Sequence, residues 1–437
     1  MLFDSGSLTR TRTTSVFHRR TLHSLVGTAI LLMASSATAQ QSTPLTLVAA
    51  EELAIDSEPG REAMLAQADA FDEESVAAEQ LPELKLRLGL ANYPIESGGF
   101  TTEGMTQAQL GLRMEFPPGG VLDASARRYQ SQALELREAA DVRSRDVLTA
   151  VRRAWFDVYY WQQSRDIVAD VRPFFVDLVA VTRSLYSVGR RNQQDLLRAE
   201  LELSRLDDRL IEIDSQNSQA VAVLSEWIGD AASRPLPESL PSWDSIPPLP
   251  SIQSALLEHP AVLAAAARIE SKEAGIDVAE EDYKSGWVWD LGYGFRNGNL
   301  PDGSPRSDFV SLSVTMDLPF FQDKRQGSRL SAAYSERRSA EASRDELLRR
   351  LNSRLAAEYA QWTDLSRRID LYQTQVLAQA SANAQASLVA YQNDAADFSN
   401  VMRAYIDDLN AKVEFTLLMV ERAKSYALLA NLGGFPR

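Results

Sequence analysis

The side chains that could do covalent chemistry in this 437-residue chain are few and poorly placed for it. Asp207-Asp208, Glu280-Glu281 and Asp407-Asp408 are the paired carboxylates that general acid–base work would need. Each pair, however, lies in a long stretch of helical character, where acidic pairs are solvated faces. His259 precedes Pro260, and a lone imidazole there reads as a helix-entry residue, because a metal site needs several convergent ligands. There is no cysteine, which excludes disulfides, thiolate metal sites and an N-terminal lipidated cysteine. Phosphate loops, nucleophile elbows and metalloprotease helices are absent. Trp155, Tyr159, Tyr160 and Trp161 form an aromatic cluster that reads as packing, with ligand binding the lesser alternative. No catalytic residue, cofactor or metal is expected, and the chain does not read as an enzyme.

The elements around these residues occur twice. Pro59 matches Pro260, Gly89 matches Gly292, Met114-Glu115-Phe116-Pro117 matches Met316-Asp317-Leu318-Pro319, Tyr186 matches Tyr391 and Gly229 matches Gly433, at offsets of 201 to 205 residues. Each half runs short helix, two alternating strands, long helical hairpin. The expected organisation is a signal peptide at 1–39, a first repeat at 40–230, a Pro-rich linker at 231–250, a second repeat at 251–433 and a tail at 434–437. The signal reading rests on Arg10, Arg12, Arg19 and Arg20, an apolar run from Leu25 to Ala34, and Ala37-Thr38-Ala39 for cleavage. Removing it takes away four Arg and one Asp and leaves 41 basic against 59 acidic residues, a net charge of −18, which argues against nucleic acid as a partner.

The strands suggest a membrane. Leu84, Leu86, Leu88 and Leu90 alternate with Lys85, Arg87, Gly89 and Ala91. Ala108, Leu110, Leu112, Met114 and Phe116 oppose Gln107, Gln109, Gly111, Arg113 and Glu115. Trp287, Trp289, Leu291, Tyr293 and Phe295 oppose Asp290, Gly292, Gly294 and Arg296, and Val310, Leu312, Val314, Met316 and Leu318 oppose Ser311, Ser313, Thr315 and Asp317. Period two puts the sets on opposite faces, and about ten residues is the length of a tilted membrane strand with lipid outside and water inside. The strands are expected near 84–93, 106–116, 287–296 and 308–318. A half-buried sheet of a soluble domain would explain one such strand, but not four beside helices this long. Four strands cannot close a barrel alone. Two chains would give a filled lumen, whereas three give twelve strands and room for solute.

The helices are defined by what is missing from them. From Ser328 to Leu432 there are 105 residues with neither Gly nor Pro, and from Val121 to Val188 there are 68 with only Pro173. The first stretch as one helix would be about 160 Å long, so a hairpin with arms of roughly 80 Å is expected. Leu196, Ala199, Leu203, Leu206, Leu210 and Ile213 form a heptad seam, and Val147, Val151, Ala154 and Val158 continue the apolar stripe in the preceding arm. Pro173 should bend its arm without ending it.

Together these features resemble the TolC-type outer-membrane efflux factors, over about Asp56 to Gly433. The resemblance is carried by Tyr186-Ser187-Val188-Gly189 with Asp195-Leu196-Leu197-Arg198-Ala199, and by His259-Pro260-Ala261-Val262-Leu263. Leu90-Ala91-Asn92-Tyr93-Pro94 with Met105-Thr106-Gln107 resembles the branch serving heavy-metal pumps. The family implies a mainly α fold with a membrane β-barrel. Three chains share a twelve-stranded barrel continuous with a periplasmic coiled-coil tunnel, docked onto an adaptor protein and an inner-membrane pump in the bacterial outer membrane. The implied function is a passive exit duct for solutes, metal cations among them. A duct for type I polypeptide secretion and a non-conducting periplasmic coiled-coil protein are the alternatives.

By the same resemblance, Tyr186, Gly189 and Asp195 would lie at the periplasmic tip, where three Asp195 carboxylates could form a gate that attracts cations. The alternative for Asp195 is a plain helix cap. In the second repeat Tyr391 matches Tyr186, Asp394 stands where Gly189 stands, and Asn400 stands where Asp195 stands. Asp397 could supply the acidic group there, in a different register.

Overall fold

The computed structural model describes residues 43–190, 192–393 and 395–435. The signal-peptide reading and Asp394 lie outside these residues. The elements are α1 (Leu47–Asp56), α2 (Pro59–Ala78), β1 (Lys85–Ala91), β2 (Gln107–Phe116), α3 (Val121–Ser187), α4 (Gln193–Ile228), α5 (Leu249–Ala255), α6 (Pro260–Glu281), β3 (Trp287–Phe295), β4 (Phe309–Met316), α7 (Gln326–Leu371), α8 (Leu377–Gln392) and α9 (Phe398–Gly433). All four strands form within two or three residues of their expected bounds.

The strands make one antiparallel sheet in the order β1-β2-β3-β4, which leaves β1 and β4 as edges. Its register aligns the alternation across all four strands. Leu86, Leu112, Leu291 and Leu312 form one row, and Leu88, Leu110, Tyr293 and Val310 form the next toward the loop end. Phe116, Trp287 and Met316 end this face at the helices, and Ala108 with Phe295 ends it at the loops. The face is open to the surroundings: Leu88 is 71% and Val310 is 74% exposed. The end rows are eight residue steps apart, about 27 Å along a strand, or roughly 20 Å once tilted as membrane strands are. Phe320 and Phe321 follow β4 at the helix-side margin, Phe321 being 92% exposed. The opposite face carries Lys85, Arg113, Asp290 and Ser313 in one row and Arg87, Gly111, Gly292 and Ser311 in the next.

The helices pack side by side. Next to the sheet α2, α3, α6 and α7 follow one another, and farther away α4, α3, α9 and the α7–α8 arm do so. The hairpins are therefore unequal, which corrects the expectation of equal arms near 80 Å. The 67-residue α3 is about 100 Å long and the 36-residue α4 about 54 Å, and the continuous α7–α8 arm with the 36-residue α9 repeats the asymmetry. The short α2 and α6 flank the part of each long helix that the returning arm does not reach. Pro173 sits inside an unbroken α3, as expected. The other long arm has a π turn, Tyr372–Val376, at the matching height between α7 and α8, so both arms interrupt their regular hydrogen-bond ladder at one level.

Two kinds of core hold this layer. Val147, Val151, Ala154, Trp155, Phe156 and Val158 of α3 are buried with Leu45, Leu47 and Ala50 and with Leu224 of α4. Trp155 donates its indole N–H to the Leu45 carbonyl at 2.9 Å, so the aromatic cluster is packing. The proline-rich segment lies across this core: Leu45 donates its N–H to the Pro235 carbonyl, Tyr159 donates to the Glu238 carbonyl, and Trp243 stacks on Tyr426 at 4.4 Å. Within the same region Arg152 and Glu51 form an ion pair at 2.5 Å with side chains only 5% and 1% exposed. Toward the tip, Ala199, Leu206 and Ile213 of the expected seam are buried against Val168, Phe175, Val401 and Leu409.

The junction between sheet and helices is clasped over a long sequence distance. Glu281, at the end of α6, accepts a hydrogen bond from the Gly120 N–H at 2.6 Å, at the start of α3. Gly119 beside it has φ +51°, and a Cβ there would lie 1.7 Å from the Glu281 Oε2. Only glycine fits this approach.

Candidate functional site

The tip of the first hairpin is built by Gly189. Its φ is +73°. The Arg190 N–H reaches back to the Leu185 carbonyl at 2.9 Å and the Gly189 N–H to the Tyr186 carbonyl at 3.0 Å. This pair of bonds closes the orphan carbonyls of a helix end around a left-handed residue. In the second hairpin the Ala395 N–H reaches the Ala390 carbonyl at 2.8 Å, a bond of the same span.

The returning helices start in matching ways. Asn192 is the N-cap of α4 and Asp397 that of α9. The Asp195 N–H donates to the Asn192 carbonyl at 3.2 Å, as the Asn400 N–H does to Asp397 at 3.0 Å. Asp195 is thus not the cap. It lies in the first turn of α4, where a carboxylate is favoured by the helix dipole. Asp397 differs from it in register by being the cap residue itself.

The structure brings Gly189, Asp195 and Asp397 to one polar cleft of about 330 Å³, lined also by Arg190, Asn192, Arg198 and Ser399. The two tyrosines do not share an environment. Tyr186 is 41% exposed, while Tyr391 is 6% exposed and meets Phe398 edge to face at 5.8 Å. Gln193 stands where Phe398 stands in the other repeat, so Tyr186 lacks that aromatic partner. Arg190 and Arg198 escaped the sequence reading, since nothing distinguishes them there from other helix-surface charges. The cleft thus gathers two carboxylates and two guanidiniums.

The remaining polar candidates take structural positions. His259 is the N-cap of α6, its Nδ1 accepting from the Ala261 N–H at 3.1 Å. Burial, with the nearby Arg145 guanidinium second, pushes its imidazole below the ordinary value. Asp207 pairs with Arg172 at 2.7 Å and Asp408 with Lys412 at 2.8 Å. Lys424 keeps a raised pKa although burial opposes it, because Asp157 and Glu421 both accept its hydrogen bonds. Among the described residues no group of three His, Cys, Asp or Glu could hold a metal ion, and no helix is long and apolar enough to cross a membrane.

No protein-family model matches the chain, and no curated protein matches it. Solved structures do. A membrane protein from Pseudomonas aeruginosa is similar at a TM-score of 0.76 and 17% identity, covering 88% of this chain and 92% of that one. The outer membrane protein VceC from Vibrio cholerae is similar at 0.74 and 17%, covering 89% and 96%. CusC, whose structures describe folding and transmembrane channel formation, is similar at 0.76 and 15%, covering 90% and 93%. The chain shares its fold with these structures over nearly all of its described length.

Proposed function

We propose that three copies of this chain form an outer-membrane exit duct, through which an inner-membrane pump and a periplasmic adaptor expel solutes. The observation that carries the reading is the sheet. Its apolar rows run unbroken from β1 to β4 and face outward, while both of its edges keep unpaired backbone groups. In lipid an open edge has no water to satisfy it, so the edges must meet those of other copies, and three copies give twelve strands with a wet lumen. The fold shared with the outer membrane protein VceC and with the channel-forming CusC supports the same reading. The helical layer is open-edged too, with α2 and α4 on one side and the α7–α8 arm on the other, so the same assembly would extend the barrel into a periplasmic tunnel.

The duct performs no bond chemistry. It conducts passively, and its selectivity follows from the charges along its path. Tyr186, Gly189, Asp195, Tyr391 and Asp397 mark its closed inner end, with Asp195 as the charge that acts on passing ions. The experiment is conductance in planar bilayers. The purified trimer should pass small currents, and Asp195→Asn should shift the reversal potential away from cations. A chain that is soluble and monomeric without detergent would overturn the duct. Unchanged selectivity with a lowered melting temperature would remove Asp195 from the gate.

A further inference from the structure

The duct reading puts one face of the sheet toward water, and the charges on that face do not cancel. The four strands carry five charged residues: Lys85 and Arg87 on β1, Arg113 and Glu115 on β2, and Asp290 on β3. Alternation places all five away from the apolar rows. Four of them cluster at the helix side. Lys85 and Arg113 approach Glu115 at 2.9 and 3.5 Å, and Asp290 stands opposite Arg113 in the register. Their charges sum to zero. Arg87 remains, one row farther toward the loops. Among the described residues its guanidinium makes no ion pair and no hydrogen bond.

Its row explains why the charge is presented and not buried. Arg87 shares that row with Gly111, Gly292 and Ser311, so two of its three neighbours have no side chain. The arm lies beside Gly111, where a Cβ would meet the Arg87 Cβ at 3.7 Å and its Nε at 3.9 Å. The surrounding hollow, about 390 Å³, adds Gln107, Gln109, Ser311 and Ser313 as neutral polar groups, and its one carboxylate, Asp290, belongs to the charge-balanced cluster opposite Arg113. Donors and a lone guanidinium over a glycine floor form a surface suited to an anion.

We infer that Arg87 forms a belt of three guanidiniums in the barrel lumen that binds anionic groups on their way out and sets the exit's preference for anionic over bare cationic solutes. The inference rests on the trimeric duct. Twelve strands about 4.8 Å apart and tilted near 40° enclose a backbone ring roughly 24 Å across. A guanidinium on that wall then lies about 5 to 9 Å from the axis. The Debye length at physiological salt is about 8 Å, so a solute at the centre lies within about one screening length of all three charges and feels them only partly screened. A ring of like charge in a narrow polar passage is a selectivity device. It has the opposite sign to the Asp195 ring proposed for the inner end, so entrance and exit would sort charge independently.

The test uses the full chain purified in detergent and sized first. A soluble monomer at this step would overturn the duct, and the belt with it. The trimer is then titrated with sodium tripolyphosphate at low ionic strength by calorimetry. Wild type should bind saturably, Arg87→Gln should weaken binding by about tenfold or more, and Arg87→Lys should keep most of it. In bilayers, tripolyphosphate added on the barrel side should block wild type and not Arg87→Gln. A trimer that fails to bind tripolyphosphate, or an Arg87→Gln variant that binds as wild type does, overturns the belt while leaving the duct in place.

Discussion

A charge placed on the apolar face of the sheet tests the membrane reading with a number. Leu112 lies in the row Leu86–Leu112–Leu291–Leu312, four residues from the helix-side row of Phe116 and four from the loop-side row of Ala108. That is about 13 Å along the strand in each direction, or roughly 10 Å after tilt, half of the apolar band. Leu112 is therefore near the midplane, where a lipid-facing Arg costs about 2 to 4 kcal/mol per chain. The neighbouring position already holds Arg113 on the other face, so β2 tolerates this side chain where water meets it. Ser313, in the row of Arg113, is the control. Leu112→Arg and Ser313→Arg are refolded into lipid vesicles and unfolded with urea. The first should lose about 2 to 4 kcal/mol and the second less than about 1 kcal/mol. Equal losses, or tolerance at both, would show that the Leu112 face does not meet lipid.

Glycines with positive φ separate two kinds of cost. Gly189→Ala meets nothing within 4 Å and should lose only the backbone term, about 1 to 2 kcal/mol, whereas Gly119→Ala also collides with Glu281 and should lose more, as thermal melts of both variants would show. Removing one partner of the buried Glu51–Arg152 pair strands the other charge, so Glu51→Gln should cost about 3 to 5 kcal/mol in chemical unfolding. His259 has a lowered pKa, so its contribution is fully present above the ordinary imidazole value near 6.5 and is lost as pH falls through the folded value. His259→Asn keeps a capping side chain that cannot titrate, and melts from pH 7 to 5 should show the wild type losing stability relative to the variant.

The strands were legible because both of their faces are demanding: one must be apolar and the other polar over the whole length, and a slip of one residue would exchange them. The seam from Leu196 to Ile213 was legible for the same reason at helical period. The arm lengths were misjudged because the Gly- and Pro-free run fixes only the total. Asp394, opposite Gly189 in the repeat, marks the turn about two-thirds of the way along that run. The Glu281–Gly120 clasp was not legible, since it joins residues with no local pattern and a separation set by the fold. The cleft at the tip was partly so: Gly189, Asp195 and Asp397 were named, while Arg190 and Arg198 have no sequence signal apart from the tertiary placement that selects them.

The pairing of β2 with β3 sets a timetable for biogenesis. Leu112 and Leu291 face each other although roughly 180 residues separate them, and non-local pairing of this kind is slow to form. The β1–β2 hairpin leaves the ribosome early, and a lone two-stranded hairpin is barely stable in water. Its row of leucines must wait through the synthesis of a complete helical hairpin before β3 arrives, and in the proposed trimer for other copies before its edge is covered. That interval is when such a chain is most prone to aggregate. The two helical hairpins, each closed within one repeat, would fold first, and in the proposed duct the last step would be the closing and insertion of strands already aligned.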